Sequence, residues 1–175
     1  MASTFENTQA AIVFALNYSA AQYPQSPISQ GGIVGSGKGL VAMAGAGEAG
    51  LILSAMSQMD KLKQACIAAR YAPKSEKCKC CGGDAPTAIW KEAINTLQEW
   101  SMSTFSGISK PAVREAIILN FYERGVSIAD AAKQANMPVK TAYNQRAKIH
   151  AALAKLDPEA QQEVADILES KGFLA

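Results

Sequence analysis

Histidine is almost absent from this chain: His150 is the only one in 175 residues, and no pair of carboxylates shares one predicted helical face. With no nucleophile in a recognisable setting either, acid–base and covalent catalysis have no constellation to work from, and the chain reads as a binding protein, not an enzyme. Aromatic residues are scarce as well, at 7%, whereas Ala and Gly abound. A sheet built on β-branched and aromatic side chains is therefore disfavoured, and a mainly α fold packed through small side chains is expected. No secretory leader is expected, because Glu6 and Asn7 stand where its apolar segment would be building. The one long weakly polar stretch, Gly39–Met59, is Gly-rich and broken by Glu48, so no membrane span is expected. The expected location is a reducing cytoplasm.

What is present is enough apolar material, 49% of the chain, for one core or two small ones without disulfide staples. A first helix is predicted from about Thr8 to Ala21, capped by Asn7. The run Tyr23-Pro-Gln-Ser-Pro27 and the glycines from Gly31 to Gly39 interrupt it with a loop. Helical periodicity resumes from Leu40 to about Arg70, with Leu51, Met56, Met59, Leu62 and Cys66 as an apolar stripe. Gly45, Gly47 and Gly50 weaken that helix by roughly 1 kcal/mol each, a penalty most readily offset where the first helix packs closely against them. Further helices are predicted from Thr87 to Ser101, with Ile89, Trp90, Ile94 and Leu97 inward, and from Pro111 to about Arg124, where Gly125 stops the chain. The resulting division is an N-terminal helical region with its Gly-rich linker (1–72), a Cys-rich connector (73–86) and a helical C-terminal domain (87–175).

Charge is uneven. Between Ser109 and Lys155 eight basic residues, Lys110, Arg114, Arg124, Lys133, Lys140, Arg146, Lys148 and Lys155, face only Glu115, Glu123 and Asp130. From Leu156 onward the sign reverses, with Asp157, Glu159, Glu163, Asp166 and Glu169 against Lys171, so the tail is expected to turn away from a polyanion and to contact protein. Within the basic region, residues 127–156 have the grammar of a helix-turn-helix. Ser127 caps a short helix; Ala131, Ala132 and Ala135 are small where two helices approach; Asn136 suits a left-handed turn; Met137 plugs the corner. Pro138 then opens a second helix whose Ala142, Ile149, Leu153 and Leu156 face inward. Lys140, Tyr143, Asn144, Ala147 and Lys148 are left facing outward. The candidate contacts to double-stranded DNA are Lys140, Thr141, Tyr143, Asn144, Arg146 and Lys148, with Asn144 suited to an adenine edge and Lys140 to a guanine or a phosphate. The alternative is two packed helices with a solvated cationic face.

The segment from Ser127 to Leu153 resembles the region-four helix-turn-helix of bacterial sigma factors, in Lys133-Gln134, the turn Asn136, and Ala147-Lys148 leading to Leu153. More widely, a Ser/Pro/Gly stretch, an Ala/Met/Gly-rich helix, a short Cys cluster and a terminal helix pair are similar to the Q-type late-gene antiterminators of lambdoid phages. That resemblance implies a protein that binds promoter-proximal DNA, engages host RNA polymerase paused with its sigma factor, and makes it resistant to terminators. The compact Cys cluster departs from the two separated Cys pairs of some members.

Cys78, Cys80 and Cys81 lie within four residues, bounded by Pro73 and Pro86. In a reducing compartment thiolate ligation of Zn²⁺ is the leading functional reading, with Cys66 as the candidate fourth ligand across an eleven-residue gap; the alternative is a core Cys66 and incidental thiols. His150 is read as a surface or packing residue. Gly32-Ile-Val-Gly-Ser-Gly-Lys38 matches the start of a phosphate-binding loop, but Gly39 stands where Ser or Thr must ligate Mg²⁺, and no strand leads into it. Three readings therefore stand: a transcription antiterminator, a DNA-recognition or packaging adaptor that oligomerises through its Ala/Gly-rich helix, and a P-loop enzyme. Oligomeric state is open.

Overall fold

The computed structural model describes residues 5–22, 38–78, 80–105, 110–123 and 125–174, with side chains for all of these except 19–22 and 38–44. The fold is mainly α. Seven helices and one hairpin run in the order α1 (Thr8–Gln22), α2 (Lys38–Met56), α3 (Lys61–Tyr71), β1 (Ser75–Lys77), β2 (Asp84–Pro86), α4 (Ala88–Thr104), α5 (Pro111–Tyr122), α6 (Ile128–Gln134) and α7 (Val139–Ser170) among the described residues. None of these helices is long and apolar enough to cross a membrane. The phosphate-loop lookalike lies, except for Lys38, outside the described residues.

The helix starts follow from side chains that accept otherwise unpaired amides. Asn7 Oδ1 takes the Ala10 N–H at 2.8 Å and Asp60 Oδ1 takes that of Leu62 at 2.8 Å. Thr87 Oγ1 accepts from the Trp90 amide at 3.3 Å while its hydroxyl donates to the Pro73 carbonyl, fastening α4 to the end of α3. Asp60 also explains a correction. The periodicity from Leu40 to Arg70 is two helices, because the chain breaks at Ser57–Asp60 and restarts on the Asp60 cap, with Gln64 Nε2 donating to the Met59 carbonyl at 2.7 Å. The stripe is corrected with it: Met56, Met59 and Cys66 are buried, but Leu51 is 61% exposed.

α2 packs on α1, yet among Gly45, Gly47 and Gly50 only Gly45 lies against it, and there a Cβ would make ordinary van der Waals contact with the Tyr18 ring at 3.5 Å and the Phe14 ring at 3.7 Å. Gly47 and Gly50 face open space. α3 packs on α4 and α7, and α4 on α5, so one apolar cluster continues from Ile12 and Ile52 through Ile67, Leu97, Ile117 and Ile149 to Leu168.

α7 is the long member, 32 residues, or about 48 Å at the usual rise. It passes through Pro158, which offers no amide to the Ala154 carbonyl and disfavours helical geometry at Asp157. Two features hold it together there. Arg70 of α3 grips the Asp157 carboxylate, through Nε at 3.0 and 3.1 Å and Nη2 at 2.8 Å, and Gln161 Nε2 donates to the same group at 2.7 Å. Beyond the proline, Ala160, Val164 and Leu168 are buried against α1, α2 and α3. The acidic tail thus packs on protein of its own chain, with Glu163 paired to Lys63.

Candidate nucleic-acid interface and metal centre

The link between α6 and α7 is four residues long, and its geometry turns on Asn136. This is the one described residue other than glycine with a positive φ, 51°, the left-handed conformation in which Asn is tolerated better than most side chains. The reversal is closed by the Met137 amide donating to Ala132 O at 2.8 Å, and the half-buried Met137 side chain packs onto the core. Ser127 Oγ accepts from the Asp130 amide at 3.2 Å, starting α6. Ala132 is fully buried, and Ala131 and Ala135 are half-buried, where α6 meets α5 and α7. Pro138 precedes α7 with φ −57°, its carbonyl accepting from Thr141 at 2.9 Å.

Ala142, Ile149 and Leu153 are buried, so Lys140, Tyr143, Asn144 and Lys148 are brought together on the opposite, exposed face of α7. Tyr143 is 45% exposed, high for an aromatic ring. Ala147 and Ala151 are exposed between these residues, so the face carries little bulk near the backbone. Lys155, three turns beyond Asn144 on the same face, was not singled out from the sequence as a contact; its seven-residue spacing from Lys148 is the signal that finds it.

Two of the candidates sit apart. Thr141 is half-buried in the first turn, and Arg146, though exposed, lies four residues from both Ala142 and His150, bordering the packed side. His150 itself is a packing residue. Its Nε2–H donates to Ile117 O at 3.0 Å and its ring meets Phe121 edge-on at 5.3 Å. Burial holds its pKa below the ordinary value against the opposing pull of the Ile117 carbonyl, and the Arg146 charge lowers it further.

One member of the basic count is lost. Arg114 is buried, donating from its guanidinium to the carbonyl and hydroxyl of Ser101 and to Phe105 O, which ties α5 to the end of α4. Burial lowers its pKa. Lys110, Lys133, Lys140, Arg146, Lys148 and Lys155 remain exposed, whereas Glu123 is ion-paired with Lys74 at 2.9 Å.

The cysteines form a second centre at the tip of the β1–β2 hairpin. There Gly82, at φ 70°, lets the chain turn, and the Cys78 amide donates to Gly83 O at 2.7 Å. The Sγ atoms of Cys78, Cys80 and Cys81 all lie within 4.8 Å of one another, a group that could hold a metal ion. The Cys78 thiol is pulled down to about 7, first by hydrogen bonding with the Cys80 thiol, then by the backbone amides of Cys80 and Cys81. Cys66 is placed elsewhere: it is fully buried in α3 beside Tyr122, where burial pushes its thiol up to about 11. The expected fourth ligand is thus a core residue, because α3 must present that position inward to pack on α4 and α7.

No protein-family model and no curated protein matches this chain.

Proposed function

We propose that the chain is a sequence-specific DNA-binding transcription regulator of the bacterial cytoplasm, an antiterminator that acts on host RNA polymerase with its sigma factor. In this reading α6 and α7 are a helix-turn-helix, and the first turns of α7 enter the major groove. The observation that carries the reading is the left-handed Asn136 turn, followed by a helix that buries Ala142, Ile149 and Leu153 and leaves Lys140, Tyr143, Asn144 and Lys148 on its exposed face. Asn144 supplies a bidentate donor and acceptor for an adenine edge, and Lys140 and Lys148 meet guanine or flanking phosphates. Arg146 and Thr141 contribute at the margin, and Lys155 reaches phosphate beyond the groove. The ion proposed for the hairpin cysteines is Zn²⁺, in keeping with sulfur donors.

Run-off transcription across a terminator, on the protein's own late-promoter template, tests the reading. Read-through should rise when the protein is added, and unchanged termination with intact DNA binding would defeat the antiterminator assignment while sparing DNA recognition. The exposed Gly47, Gly50 and Leu51 face of α2 favours a second reading, an adaptor subunit that oligomerises through that helix. Co-purification with RNA polymerase separates the two.

A further inference from the structure

We propose that Cys78, Cys80 and Cys81 make a three-thiolate site for one Zn²⁺ whose fourth coordination position is open, so that the ion takes its last ligand from outside the chain. This rests on the zinc reading above and specifies how that site is completed. A tetrahedral ion with Zn–S bonds of ~2.3 Å holds its sulfurs ~3.8 Å apart. The three Sγ atoms, all within 4.8 Å of one another, can close onto one ion by side-chain rotation, with the Cys78–Cys80 pair, now at 2.8 Å, opening by about 1 Å. The hairpin supports this geometry without the metal. Its strands are paired from Ser75–Pro86 to Lys77–Asp84, and the Cys78 carbonyl accepts from Gly82 N at 2.8 Å.

What is missing among the described residues is a fourth donor. Cys66 is fully buried in the core of α3. His150 is committed to Ile117 O between α5 and α7. Asp84, three residues beyond Cys81, is ion-paired with Lys77 at 2.8 Å, and Glu76, two residues before Cys78, is not part of the sulfur group. No other carboxylate, imidazole or thiolate of the described residues joins the sulfur group. Cys80 and Cys81 are exposed, so the free side of the ion faces solvent. Closed structural sites supply four protein ligands, whereas three protein ligands with an accessible side leave a position for exchange. Water fills it in the isolated protein, and a borderline donor, an imidazole nitrogen or a thiolate, displaces that water.

The full-length protein loaded with Co²⁺, which reports its ligand field in the visible spectrum, is titrated with imidazole, and the variants Cys66→Ala and Cys78→Ser are measured beside it. We expect one ion per chain, a saturable spectral change with imidazole, the same stoichiometry and response in Cys66→Ala, and at least tenfold weaker metal binding in Cys78→Ser. A loaded native protein whose spectrum ignores imidazole overturns the open position and leaves the zinc site standing. A native protein that takes up no ion, or a Cys78→Ser variant that binds as tightly, overturns the zinc site itself. The imidazole titration needs no variant, so a misfolded Cys66→Ala leaves the test intact.

Discussion

Asn136 at φ 51° concentrates in one residue what the α6–α7 link requires of the backbone. A β-carbon in this conformation crowds the following carbonyl, a penalty of roughly 1–2 kcal/mol that Asn relieves with its short polar side chain and Gly escapes. Asn136→Ala is therefore expected to lower unfolding stability by about 1 kcal/mol and Asn136→Gly to leave it nearly unchanged, as measured by urea denaturation. Equal losses in both variants would mean that the side chain, not the backbone geometry, holds the turn. The outward residues of α7 divide by what they would contact. Replacing Lys148, on the phosphate side, with Ala should weaken binding to all sequences alike and flatten the slope of log affinity against log salt by about 1. Replacing Asn144 with Ala should cost about 1–3 kcal/mol on the preferred site and little on unrelated DNA. Fluorescence anisotropy on both duplexes, at several salt concentrations, separates these outcomes.

Between elements, the contact of α3 with α7 depends on a charge pair whose two ends differ in environment: the Asp157 side chain is 4% exposed and that of Arg70 35%. Removing one partner of a buried pair costs roughly 3–5 kcal/mol, but a guanidinium one-third in water recovers part of its solvation, so Asp157→Ala is expected to destabilise by about 2 kcal/mol. Thermal melting checks this, and a neutral result would remove the pair as the reason that α7 survives Pro158. The α5–α7 contact adds a pH dependence through His150. Its folded pKa lies below the ordinary value, so the unfolded chain binds the proton more readily, and stability falls as pH drops through the unfolded value near 6.5 towards the lower folded one. Compared with His150→Gln, the native protein should lose stability faster between about pH 7 and pH 5.5. These interfaces also show where the sequence was readable. Asn7, Ser127 and Asn136 act within a few residues of themselves, so their cap and turn roles stand out in a linear pattern. The break at Asp60 is equally local, its cap lying two residues from Leu62, but the helical periodicity on either side of it hides it in the linear pattern. The burial of Arg114, the committed Cys66 and the helical passage through Pro158 depend on partners such as Ser101, Tyr122 and Arg70. Those contacts arise only when distant helices meet.

On the scale of the whole molecule, α7 belongs to two neighbourhoods: its first half carries the exposed basic face, and its second half buries Ala160, Val164 and Leu168 in the body formed with α1, α2 and α3. Leu168 is twenty residues beyond Lys148, about 30 Å along the helix. The apolar cluster continues without interruption between the two regions, so a cavity at the far end should weaken the fold as one unit. Leu168→Ala is expected to reduce stability by about 3 kcal/mol in a single transition seen alike by circular dichroism and by Trp fluorescence. DNA affinity measured well below the melting temperature should stay within a factor of two, because the residues that would meet DNA keep their own local packing. If the variant instead melts in two steps, or loses DNA binding while still folded, then the second half of α7 positions the basic face from a distance. The long helix would then be a lever between the body and the DNA, not simply a shared wall of the core.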